Sequence, residues 1–111
     1  MHFCFTGQYT PQALNGMMEN PTTNRSEVIK KLMESAGGKL ISMYSTAAEG
    51  PGVLAILDVP DPAVAAAISG IVVALGSVHN VKLTRLMTQE EVTHVRKKAS
   101  ELRGAYKPPG K

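Results

Sequence analysis

One cysteine, Cys4, is all the thiol chemistry in this 111-residue chain. An intrachain disulfide is therefore impossible, and a disulfide-built secreted scaffold is excluded. Long apolar runs are also missing. The longest, Val64 to Val78, is interrupted by Ser69, Gly70, Gly76 and Ser77 and falls short of the roughly 20 residues that span a bilayer. The opening residues Met1-His2-Phe3-Cys4-Phe5 lack the basic segment and apolar run of a secretory signal, so the expected location is the reduced cytoplasm. Phosphate-binding loops are missing too: Gly37-Gly38 and Gly50-Pro51-Gly52 have neither a following Lys-Ser/Thr nor a third glycine opening a helix. No Ser/His/Asp or Cys/His grouping has a context that marks a nucleophile. Neither metal nor organic cofactor is called for: His2 and Cys4 share a strand face but are too few to hold a metal, and the adjacent Met17 and Met18 do not form a methionine box.

Charge of one sign is unevenly spread. Residues 96–111 carry Arg96, Lys97, Lys98, Arg103, Lys107 and Lys111 against Glu101, whereas the preceding residues are slightly acidic. The net charge of +3 therefore belongs to the C-terminal end. Tyr106 is the only aromatic there, so a solvated helix face fits better than a nucleic-acid surface, and nucleic acid is not an expected partner.

A chain of this length suits one core. Residues 2–9 carry aromatics at alternating positions, as a half-buried strand does. Thr10-Pro11 opens a short helix that ends at Asn20-Pro21, and Asn24 with Glu27 opens a second, stopped by Gly37-Gly38. Strands are expected over Lys39–Thr46, Val53–Val59 and Val78–Met87, with a helix capped by Asp61-Pro62 between the last two. That helix is apolar on nearly all sides and so is expected to be broadly buried. The order is β-α-β-β-α-β, the ferredoxin-like α+β arrangement: an antiparallel sheet of order 4-1-3-2 with helices on one face. Thr88 to Glu91 form a capping box for an additional C-terminal helix, on which Val92, Val95, Ala99 and Leu102 make a narrow apolar stripe. The expected organisation is a domain over 1–87, a helical extension over 88–104 and a flexible basic tail over 105–111.

Several segments in order resemble the GYD-domain family: Tyr9-Thr10-Pro11-Gln12, Arg25 with Glu27, Lys30-Lys31-Leu32, Gly37-Gly38-Lys39-Leu40, Tyr44, Val59-Pro60-Asp61 and Ala74-Leu75-Gly76-Ser77-Val78. The resemblance implies a ferredoxin-like fold related to the dimeric α/β-barrel proteins, with no established general activity. Gly50-Pro51-Gly52 stands where the family usually has its Gly-Tyr-Asp signature, so no role of that Tyr and Asp carries over to this chain.

Two expectations of function follow. In the first, the uncovered sheet face meets another copy, giving a homodimer or higher homo-oligomer with a binding or assembly role. In the second, a small enzyme or cofactor-binding protein of the dimeric α/β-barrel kind uses a cleft near His79 and Tyr44. The assumed strand order brings Tyr9, Tyr44, Glu49 and His79 to one end of the sheet, where they could contact a small-molecule ligand. The same four also fit as ordinary rim residues.

Overall fold

In the computed structural model, which describes residues 1–47 and 49–111, the eight-residue strand β1 (His2–Tyr9) alternates half-buried and buried positions. Phe3 and Phe5 point into the core, and Cys4 faces the other way. The two-residue period of the strand leaves Cys4 half-buried on that other face. Thr10 accepts a hydrogen bond from the Ala13 amide and Pro11 occupies the first turn, which starts α1 (Pro11–Glu19). Asn24 caps α2 (Arg25–Ser35) by accepting from the Glu27 amide. Gly37, at φ +76°, reverses the chain into β2 (Lys39–Thr46).

After the turn come β3 (Gly52–Asp58), α3 (Pro62–Ala74) capped by Asp61, β4 (Val78–Leu86) and α4 (Gln89–Leu102), which runs into a short 3₁₀ turn at Arg103–Ala105. The sheet order is β2-β3-β1-β4 with every pairing antiparallel, the ferredoxin-like order expected, with the first crossover helix in two pieces. Both edge strands carry register shifts, one between Leu40 and Ser42 in β2 and one where β4 passes residues Thr6 to Gln8 of β1. Asn80 adopts φ +53° at the second of these, a conformation asparagine tolerates better than most residues. Bulges on both edges discourage edge-to-edge pairing with another sheet.

One face of the sheet contributes Phe3, Phe5, Val53, Ala55 and Leu57 to the core, against Met33 of α2 and Ala65 and Ile68 of α3. Fully burying side chains such as Met33 and Leu57 is worth roughly 1.5–3 kcal/mol each. The helix layer, however, has nothing beyond it. Only Ala65 and Ile68 of α3 are buried, while Ala63, Ala66, Ala67, Gly70, Ile71, Val73 and Ala74 are exposed. Broad burial of this helix is therefore not seen within one chain, because the sheet covers a single side of it.

The opposite sheet face presents Cys4, Leu54, Ile56 and Leu86 half-buried, with Tyr44 63% exposed at its edge. The main helix–sheet contacts of α2 and α3 lie with the core. From Thr93 to Leu102, α4 is exposed on every side. Its anchor is the first turn: Thr88 and Glu91 form the expected capping box, and Glu91 pairs with Arg85 of β4, whose guanidinium lies 5.7 Å from the Phe3 ring centre. The molecule is accordingly long, 60 × 34 × 22 Å with a radius of gyration of 17.9 Å, against about 13 Å for a compact chain near this length.

Candidate functional site

Of the four residues expected to meet, Tyr9 and Tyr44 both border one groove, but Tyr44 pairs with Leu54 of the open face, so strand alternation turns its side chain away from Tyr9. Tyr9 closes β1 on the helix side of the sheet, held by hydrogen bonds from its own amide to the Pro51 carbonyl (3.0 Å) and from the Thr10 amide to the Ser77 carbonyl (3.1 Å). Residues 43–45 of edge strand β2 form one wall of the groove. Thr22, Thr23 and Asn24, leading into α2, form the other, with Arg25 between. About 440 Å³ of this groove is wide enough for water.

Glu49 lies elsewhere, in a second depression around Thr6, Gln8, Thr46 and Lys82. Its backbone carbonyl accepts from the Gln8 amide group, and Gln8 in turn accepts from Asn80 Nδ2 at 2.8 Å. Gln8 thereby ties the β2–β3 turn to the β4 bulge. His79 pairs across from Gln8, exposed at the start of β4, and lines neither groove. The shared end of the sheet was legible from strand order. The side to which each residue points was not, since the bulge at Asn80 resets the parity of β4.

Sequence reading missed what lies behind Tyr9. Between the sheet and helices α2 and α3 runs an apolar slot lined by residues such as Phe5, Ile29, Ala55, Ile68 and Val72. It is narrow, with only about 40 Å³ of cavity space. Slot and groove share three residues: Tyr9, Arg25 and Met43. Arg25 is half-buried and forms no ion pair among the described residues. Burial pushes the Tyr9 hydroxyl above its ordinary 10.0, partly offset by the nearby Arg25 charge. Tyr9 is therefore a neutral donor at physiological pH. The available signal was Arg25 in the first turn after a run of hydroxyl and amide residues, a place where a cation opposes the helix dipole instead of serving it.

A family profile for the GYD domain matches residues 3–95. The chain belongs to the GYD-domain family. The match takes in every strand and the first half of α4, so the family unit includes the slot and the groove. No curated protein and no solved structure gives a significant match. In this GYD domain the glycines of the β2–β3 turn have local structural work. Gly50 sits at φ +98°, and a Cβ on Gly52 would collide with the Gly7 carbonyl oxygen. Among the described residues, no group of three or more His, Cys, Asp or Glu could hold a metal ion, and no helix is long and apolar enough to cross a membrane.

Proposed function

We propose that this GYD-domain protein works as a subunit of a homo-oligomer, joined through the open face of its sheet with α4 reaching onto the neighbouring copy. The carrying observation is that one chain leaves two apolar surfaces without a companion: the Cys4–Leu54–Ile56–Leu86 face and the Val95–Ala99–Leu102 stripe of an arm that stands off the body. Apolar groups left in water at this scale mark interaction surfaces. The bulged edges favour face-to-face packing over strand addition. Ile56→Lys places a charge at the centre of the open face and leaves the core face untouched. Light scattering after size exclusion should then show a smaller particle than the unmodified chain gives; an unchanged particle size contradicts the proposal.

A second role, small-molecule binding, is favoured by the meeting of the apolar slot and the polar groove at Tyr9, beside Arg25. Apolar pockets with a few convergent polar groups are the usual form of ligand sites. A fragment screen read by amide NMR shifts should put its hits on Tyr9, Arg25 and Met43. Hits confined to other surfaces contradict this role.

A further inference from the structure

Residues directly opposite one another in an antiparallel pair share a face of the sheet. On the open face, the two central rows therefore run Thr84–Cys4–Ile56–Ser42 and Lys82–Thr6–Leu54–Tyr44, in the strand order β4, β1, β3, β2. A third row, Leu86–His2–Asp58–Lys39, closes one end. Bulk is distributed unevenly over the two inner strands. β3 raises Ile56 and Leu54, while β1 beside it carries the smaller Cys4 and Thr6. The face thus has a ridge along β3 and a furrow along β1.

Ridge and furrow both follow the strands, so a second copy fits along their length only when its strands are aligned with the first. Aligned packing about a two-fold axis leaves two arrangements. With the axis across the strands, each strand faces its own copy, ridge meets ridge, and Cys4 and Thr6 face each other over a gap. With the axis along the strands, over the boundary of β1 and β3, the ridge of each copy lies above the furrow of the other. Side chains of sheets about 10 Å apart interdigitate in this second way, large against small. Charge agrees with it. His2 comes opposite the partner's Asp58, and Lys82 opposite the exposed ring of the partner's Tyr44.

From this we infer that two copies pair about a two-fold axis parallel to their strands, with Ile56 and Leu54 of each seated on Cys4 and Thr6 of the other. The inference rests on the self-association proposed above and supplies its geometry. It gives Cys4 a steric role, since a small side chain at this position leaves room for the partner's Ile56. The two Cys4 Cα atoms then lie about 11 Å apart, one strand spacing sideways and one sheet spacing across. That exceeds the roughly 7 Å that a disulfide can bridge, so thiol oxidation does not lock the pair.

Two variants of the full chain, one with the furrow filled and one with the ridge cut, test the inference. Cys4→Ile and Ile56→Ala should each weaken the self-association of their own chain by about tenfold or more. Mixed in equal amounts, they should prefer each other, because the enlarged position 4 of one chain meets the shortened position 56 of the other. Native mass spectrometry should then show mixed pairs well above the half that random pairing gives. Contacts within each chain are the same in mixed and unmixed pairs, so the preference reports only on contacts between copies. Unshifted core amides verify that each variant folds. Thr6→Ile mixed with Leu54→Ala repeats the test one row along the strands, should a variant of the first pair not fold. Random pairing in the mixtures overturns this seating and leaves self-association standing. A single-chain mass for the unmodified protein overturns both.

Discussion

At the scale of single residues, two side chains decide more than their size suggests. Glu91 accepts from the Thr88 amide at 3.2 Å and from Arg85, and these bonds hold its carboxyl below the ordinary 4.5. A depressed carboxylate stabilises the folded state fully above that ordinary value, and the contribution is lost as pH falls through the lower folded value. Acidification from about pH 5 to pH 3 should therefore release the first turn of α4 before the sheet responds, seen as early loss of amide protection over residues 89–92. Glu91→Gln keeps the capping acceptor but drops the charge, and should flatten that pH dependence. Gly52 is the other case. Its missing Cβ lets β3 approach Gly7 and Thr46, so Gly52→Ala should cost about 1–3 kcal/mol in urea unfolding, as overpacked sites do. The glycine was visible in the sequence as part of a turn; its close contact with β1 was not, because that depends on which strands become neighbours.

At the scale of elements, caps and periodicity made all four strands and all four helices legible. Thr10-Pro11, Asn24, Asp61-Pro62 and Thr88-Glu91 each start a helix where the chain says they should. What composition could not tell was how much of an element is covered. Helix α3 has no charged residue to mark an outside, so its exposed half read as buried. The candidate site suffered from a related ambiguity: strand order placed Tyr9, Tyr44, Glu49 and His79 at one end, but bulges in β2 and β4 divide them among different surfaces. For α4 the stripe was legible and its companion was not. Val95 is 49% exposed and Leu102 67% exposed, left open among the described residues of their own chain. Val95→Asp should therefore leave the sheet amide spectrum unchanged while weakening self-association by about tenfold or more, the scale of one lost buried apolar side chain.

At the scale of the whole molecule, a helix layer on one side of a sheet solves only half of the burial problem. The remaining half is spread over the open face, the outside of α3 and the arm, and the 60 Å length of the chain measures how far that arm is from its own core. Family membership agrees with the layer architecture and leaves activity open. The slot behind Tyr9 is a separate feature on the covered side, which lets binding and assembly be altered one at a time. Sedimentation of the unmodified protein at micromolar concentration tests the central claim most directly. Self-association predicts a mass of at least two 11.8 kDa chains; a single species at the mass of one chain, unchanged as concentration rises, would contradict it.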